Sequence, residues 1–442
     1  MAIQDTRNQL THDGKSEASL ALADADIVQR TPPEWLTRQA KSLILHGLSG
    51  LQGGQLILHD GAERYLFGQV DTAAPLVAEI TVLDRQFYRQ VILGGSLGAA
   101  ESHLAGQWHS PHMEAVIRLL ARNLPWLDRI EQRFAWATWP LRRWISWRDR
   151  NSLQGSKRNI MAHYDLGNAL YQRFLDPLMQ YSSAIYPSAS SSLAEAQCHK
   201  LRLICDKLEL GPQDHLLEIG TGWGELAIFA AREYGCRVTT TTISDAQHAY
   251  AARRIAEEGL EQRIQLLKQD YRLLDGQFDK LVSVEMIEAV GHHYLPTFFQ
   301  TLQRLLRPGG RLLLQAITID DRRYDTYRRG VDFIQRYIFP GGCLPSVSRM
   351  TELLKRETDM TLVRLMDYGP HYARTLREWA QRFEAQSQAL AELGYGDEFR
   401  RLWHFYFAYC AGGFAERSIS LVHFEAARPG PLSWQGGLEP ER

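Results

Sequence analysis

The stretch from His215 to Gly235, HLLEIGTGWGELAIFAAREYG, constrains the fold more than any other part of the chain. An apolar run (Leu216, Leu217, Ile219) ends at Gly220, Gly222 and Gly224, and apolar residues at helical spacing follow. That order predicts a buried strand, a tight turn and a helix. Glycine lets the backbone turn sharply and approach a ligand, and the start of the helix offers free N–H groups. One glycine turn defines no fold by itself. Its context does: strand-like runs recur at 237–244 (RVTTTTIS), 264–272 (IQLLKQDYR), 278–284 (FDKLVSV) and 311–319 (RLLLQAITI), with helix-like stretches between them. This alternation predicts an α/β, doubly wound, mostly parallel sheet that binds ligands beyond the carboxyl ends of its strands. Glu285 and Glu288, in VSVEMIEAVG, follow such an end.

At 442 residues the chain exceeds the size at which a single core stops growing, so more than one domain is expected. Residues 1–32 read as a polar tail, without the basic and apolar regions of a secretory signal. Residues 33–123 alternate short apolar runs such as GQLILHD and LVAEITVLD, with a glycine turn at Gly94–Gly95 and a helical stretch EAVIRLLARN. This is the pattern of a small α+β domain. Residues 124–157 form a basic, aromatic linker, with Trp126, Trp136, Trp139, Trp144 and Trp147 among Arg142, Arg143, Arg148 and other arginines. The βα alternation occupies 158–442. Charge is nearly balanced, 50 basic against 51 acidic residues, which excludes binding to nucleic acid by phosphate neutralisation over the whole surface. The five cysteines are scattered without a CxxC pair. Neither a disulfide framework nor a metal site is expected, and a reducing, cytoplasmic compartment fits. No run approaches the roughly eighteen apolar residues that would span a bilayer.

A dinucleotide site would read GxGxxG, with an acid about twenty residues later. Here the run is EIGTGWGE, with Glu218 ahead of the glycines, and the next strand ends at Thr242 and Ser244 before Asp245. The pattern resembles the class I methyltransferases, which points to S-adenosylmethionine as cofactor. HYDLGNALYQRFLDPLMQYSSAIYP (163–187), TTISDAQ, QDYR, SVEMIEAVG, RYIFPGGCLPS (336–346), YCAGGFAERSISL (409–421) and GGSLGAAESHLAGQW (94–108) narrow the resemblance. Together they are similar to the cyclopropane-fatty-acyl-phospholipid synthases and the related mycolic acid methyltransferases.

The resemblance implies methyl transfer from S-adenosylmethionine to the double bond of an unsaturated acyl chain of a membrane phospholipid. Ring closure to a cyclopropane is the expected outcome, with methyl or methylene branching as the alternative. It assigns Tyr181 and Ser182 to the methionine end of the cofactor, and Glu218, Gly220, Gly222 and Gly224 to the turn. Thr242, Ile243 and Gln247 fall on the ribose side, and Asp270 and Tyr271 at the adenine. It also implies a bicarbonate ion as base, held by Ser183, Glu288, Gln315, Ile317 and Tyr372, so that Glu288→Gln costs more activity than Glu285→Gln. Glu285 stands where many relatives have glycine and receives no role. Ser183, Ala289 and Gln315 replace a cysteine and two histidines common in relatives, which weakens the expected bicarbonate site. Peripheral contact with the inner face of the membrane is expected through the 126–150 segment, and a homodimer is allowed for. The region after the fourth strand reads EMIEAVG rather than the Asn/Asp-Pro-Pro-aromatic motif of enzymes that methylate nucleic-acid amines. A non-enzymatic lipid-binding protein is the remaining alternative, and it would not require the glycine turn or Glu288.

Overall fold

The computed structural model describes residues 34–127 and 167–430. The polar tail and residues 128–157 of the tryptophan–arginine segment lie outside the described residues.

Near the N-terminus, a helix at Glu34–Leu48 precedes strands β1 (Gln55–Asp60), β2 (Glu63–Gly68), β3 (Val77–Val82) and β4 (Trp108–His109). They form a sheet of order β2-β1-β3-β4, in which β1 and β3 run parallel. The Gly94–Gly95 pair is not a turn between elements, which corrects the sequence reading. It lies inside the helical segment Gln86–Leu104, where Gly95 takes φ 59° and ψ −137° and kinks the helix. Lacking a Cβ, glycine adopts that backbone without strain.

The larger sheet contains β5 (His215–Ile219), β6 (Arg237–Thr242), β7 (Ile264–Lys268), β8 (Phe278–Val284), β9 (Leu306–Ile319), β10 (Thr361–Asp367) and β11 (Ile419–Ala427), in the order β10-β11-β9-β8-β5-β6-β7. The five strands from β7 to β9 are parallel, and β11 and β10 close the other edge in antiparallel fashion. Chain order moves outward from β5 to β6 and β7 on one side, then returns to β8 on the other. The crevice at this switch point lies beyond the ends of β5 and β8, where such sheets bind ligands. Gly220 and Glu285 are the first residues past those two ends.

One apolar cluster joins the N-terminal elements to the helices at Asn168–Phe174, Gly369–Ala385 and Asp397–Ala415. The Met113–Arg122 helix lies so close to the last of these that a Cβ on Gly412 would sit 2.7 Å from Ile117 Cγ2. Arg118 and Arg122 both donate through Nε to Glu416, at 2.7 and 2.8 Å. Gly412→Val is therefore expected to force these helices apart and to cost about 1–3 kcal/mol. The thermal unfolding midpoint measures this, and an unchanged midpoint would show that the contact is not tight.

Candidate active site

A cavity of about 1730 Å³ opens at the switch point. One end is walled by Gly220, Gly222, Thr242, Gln247, Asp270 and Tyr271, and the other by Tyr181, Glu285, Glu288 and Tyr372. Its lining also takes in Phe405 and Phe414 and reaches Leu58, Phe87 and Trp108 of the N-terminal sheet and helices. Pockets for compact ligands occupy about 300–1,000 Å³, so this one has room for a nucleoside-sized molecule and a long chain together.

At the glycine end, Gly220 and Gly222 take φ of 104° and 54°, and the Cβ position of Gly222 has no heavy atom within 4 Å. The backbone at Gly222 is therefore bare, while a Cβ on Gly220 would touch the Met286 side chain at 3.4 Å, and both residues line the cavity. Gly224 is not on the wall. It precedes the Glu225–Glu233 helix with φ 94°, and its Cβ position lies 3.0 Å from Ala251 Cβ, so its smallness serves helix packing. Thr240 Oγ1 donates to Glu218 Oε2 at 2.6 Å, and burial pushes the Glu218 carboxyl up to about 8. Thr242 Oγ1 donates to Gln247 Oε1 at 2.9 Å, while Ile243 is largely exposed at the rim. Asp270 already accepts from Arg272 backbone N at 2.9 Å, Nε at 3.0 Å and Nη2 at 2.6 Å, leaving one lone-pair position on Oδ2 for a ligand. Tyr271 packs edge-on to Phe298 at 5.5 Å and also lines the cavity.

Lys200 escaped the sequence reading. Fully buried on the Leu193–Lys207 helix, it donates through Nζ to Ser182 Oγ at 2.7 Å and Gln180 Oε1 at 2.9 Å. Burial lowers it to about 8 against the pull of the Glu285, Asp176 and Glu218 carboxylates. Its only sequence signal is a lysine on the apolar face of a helix, a position lysine rarely occupies without a partner.

At the other end the structure brings together Ser183, Glu288, Gln315, Ile317 and Tyr372. Three of them, Ser183, Gln315 and Tyr372, converge on Glu285, while Ile317 pairs with Glu288. Glu285 Oε1 accepts from Ser183 N at 2.9 Å and Gln315 Nε2 at 2.7 Å, and its Oε2 accepts from the Tyr372 hydroxyl at 2.7 Å. Ser183 and Gln315 stand behind the wall and act through that carboxylate. Glu288 Oε1 accepts from Ile317 N at 2.5 Å, whereas its buried Oε2 has no hydrogen-bond partner among the described residues. Both glutamates show part of their surface to the cavity, yet their carboxylates lie deep in the protein. Burial, with the neighbouring Glu285 charge second, pushes Glu288 up to about 8. Burial also raises Glu285, opposed by its three donors.

The amide of Gln315 is oriented from behind. Its Oε1 lies 2.9 Å from His423 Nε2, and His423 Nδ1 lies 3.2 Å from Lys207 Nζ. Burial keeps His423 neutral. A neutral ring that accepts from Lys207 at Nδ1 donates from Nε2, which turns the Gln315 N–H groups toward Glu285.

These buried acids set a pH dependence of stability. Between the ordinary carboxyl range and about 8, folded Glu218 and Glu288 keep protons that the unfolded chain has released. That alone makes stability fall as pH rises. Below about 6.5 His103 and His423, which burial keeps neutral, oppose this trend, so the fall in stability is expected between about 7 and 8, and above about 8 Lys200 opposes it. Calorimetric unfolding should give a lower midpoint at pH 8 than at pH 7, and a higher one would show that these carboxyls are ionised in the fold.

The sheet order, the glycine turn at the switch point and the cavity beyond it define a class I S-adenosylmethionine-dependent methyltransferase. The mycolic acid cyclopropane synthase CmaA1, solved in complex with SAH and CTAB, matches this fold with a TM-score of 0.57 at 31% identity, over 61% of this chain and 98% of that one. The chain belongs to the mycolic acid cyclopropane synthetase family, whose model matches residues 151–424. It is 37% identical over 394 residues to the tuberculostearic acid methyltransferase UfaA1 of Mycobacterium tuberculosis, covering 85% of this chain and 88% of that protein. It is 38% identical over 361 residues to the cyclopropane-fatty-acyl-phospholipid synthase of Escherichia coli K12, covering 80% and 88%. Among the described residues no cluster has the makings of a metal site, and no helix is long and apolar enough to cross a membrane. All five cysteines are unpaired.

Proposed function

We propose that this enzyme methylates the double bond of an unsaturated acyl chain of a membrane phospholipid, with closure of a cyclopropane ring. The observation that carries the reading is the single cavity that joins a bare glycine backbone to an aromatic, apolar end. The glycine end fits S-adenosylmethionine: the space at Gly222 is one a Cβ would fill, and the residues around it offer a graded set of polar partners. Tyr181 and Ser182 hold the methionine end, with Ser182 placed by Lys200. Thr242, Ile243 and Gln247 take the ribose side, and Asp270 and Tyr271 the adenine. When bound, the cofactor supplies an electrophilic methyl group.

The protein's own work is positioning and charge stabilisation. An alkene is a weak nucleophile, so the walls must hold it in line and exclude water. Tyr181 and Tyr372 face the cavity inside an aromatic cluster with Trp379 and Phe414, and their faces stabilise a cationic carbon on the chain. The apolar extension toward Leu58 and Trp108 accommodates the rest of the acyl chain. A bicarbonate ion does not fit as expected from the sequence, because Ser183, Gln315 and Tyr372 already donate to Glu285.

Transfer of labelled methyl from S-adenosylmethionine to monounsaturated phospholipid vesicles tests the proposal; labelling of water-soluble acceptors alone would overturn it. Proton NMR of the product separates the two possible ends: high-field ring hydrogens mark the cyclopropane, and an exocyclic methylene signal marks branching.

The substrate chains lie in a bilayer, so we place the enzyme at the cytoplasmic face of the membrane as a peripheral protein. Trp35, Leu36 and Leu43 are exposed on the first helix, whose Leu43, Ile44 and Leu48 also line the cavity. An amphipathic, tryptophan-bearing helix that lines part of the cavity and exposes apolar side chains suits an interfacial contact. Trp35→Ser with Leu36→Ser should weaken co-sedimentation with anionic vesicles by about tenfold or more, as expected for removing two large, partly exposed apolar groups. Undiminished co-sedimentation would move the membrane contact elsewhere.

A further inference from the structure

Resting on the proposed function, the chemistry of the carboxylate end can be carried further. A cationic carbon on the acyl chain, bearing or adjoining the new methyl group, is neutral again only when a C–H proton leaves. The base must be anionic, shielded from water and at the wall where the chain lies. Two groups at that end of the cavity have the right chemistry, Glu285 and Glu288.

The geometry points to Glu285 as the built-in base of this site, a side-chain carboxylate that occupies the donors a free anion would otherwise need. Three donors from distant parts of the chain converge on it: Ser183 N, Gln315 Nε2 and the Tyr372 hydroxyl. Donors favour the ionised form of an acid. A carboxylate offers about four lone-pair positions, and three are filled. The fourth, on Oε2, is open to receive a proton. Glu288 is differently placed, with one donor, an unpartnered Oε2, and burial, aided by the Glu285 charge, holding it toward the neutral form.

The backbone adds an independent observation. Glu285 has φ of 49°, one of four non-glycine residues with positive φ among the described residues. A side chain in that region costs about 1–2 kcal/mol that glycine would not incur, and such strain collects at functional positions. The strain is retained here, and what it secures is a carboxylate at the centre of three donors.

In the step so assigned, a C–H bond of the added methyl group breaks. Its electron pair forms the third C–C bond of the ring at the cationic carbon, and the proton passes to Glu285 Oε2. The products are a neutral cyclopropane and a neutral carboxylic acid, which later returns the proton to solvent. If a hydride first shifts from the methyl-bearing carbon, the same proton transfer forms a C=C bond and a methylene branch.

The test uses the full chain, S-adenosylmethionine and monounsaturated phospholipid vesicles, with bicarbonate either stripped by degassing or added. The wild-type rate should stay within about twofold between the two conditions, while Glu285→Gln loses on the order of hundredfold or more. Glu285→Gly removes the base and relieves the backbone, so it folds, and its SAH affinity by calorimetry stays near wild type. Its activity should be lost without bicarbonate and partly restored with it, because the ion can enter the vacated donors. Carbon-13 NMR of labelled bicarbonate gives a readout apart from turnover: line broadening with Glu285→Gly and none with wild type. Glu288→Gln resembles a neutral acid and should cost less than Glu285→Gln, the reverse of the order expected from the sequence. A wild-type rate that collapses without bicarbonate, or Glu285→Gln near wild type, would overturn the assignment and leave the methyl transfer standing. A wild-type protein that methylates no unsaturated lipid in either condition would overturn the proposed function itself, and the assignment with it.

Discussion

Gly222→Val is expected to lower affinity for SAH by about hundredfold or more, equivalent to about 2.7 kcal/mol, while the protein stays folded. The Cβ position at 222 meets no heavy atom of the protein, so a side chain there intrudes on the cavity and leaves the core alone. A branched residue at φ 54° costs about 1–2 kcal/mol of backbone strain, which a chain of this size tolerates. Calorimetric titration with SAH measures the loss, and circular dichroism checks the fold. Normal affinity would mean that this turn does not cradle the cofactor.

Tyr372→Phe should reduce turnover by roughly 10- to 100-fold with little change in cofactor affinity. The substitution removes the 2.7 Å hydrogen bond to Glu285 Oε2 and keeps the ring, which stacks on Phe414 at 4.5 Å. A hydrogen bond to a charged group is worth about 1.5–3 kcal/mol, which sets that range. Steady-state kinetics should place the change in kcat and leave KM for the lipid nearly constant. A rise in KM alone would make Tyr372 a wall for the chain and nothing more.

Much of the glycine end was readable along the chain because its determinants are local. A buried strand, glycines at positive φ and a helix start lie within a dozen residues, and the same βα pattern repeated with each following strand. Strands β10 and β11 were not read. They close the sheet in antiparallel fashion at its edge, outside the βα alternation that revealed the others. Lys200 was hidden for another reason: its helix carries polar residues on its outer face, and nothing nearby in sequence marks position 200 as the buried one.

The carboxylate end divides the same way. Resemblance to the family implied that Ser183, Glu288, Gln315, Ile317 and Tyr372 belong to one site, since each sits in a short block with a recognisable pattern. Only the tertiary structure decided what they gather around. The donors to Glu285 lie 102, 30 and 87 residues away from it, and no local pattern encodes where a side chain from position 285 ends. That depends on a backbone at φ 49°, on His423 and Lys207 turning the Gln315 amide, and on the pitch of the helix that carries Tyr372. The length of the cavity was likewise settled in three dimensions. Gly412 lets the Met113–Arg122 helix approach, which puts the N-terminal sheet in the lining of the cavity, a contact between residues about three hundred positions apart.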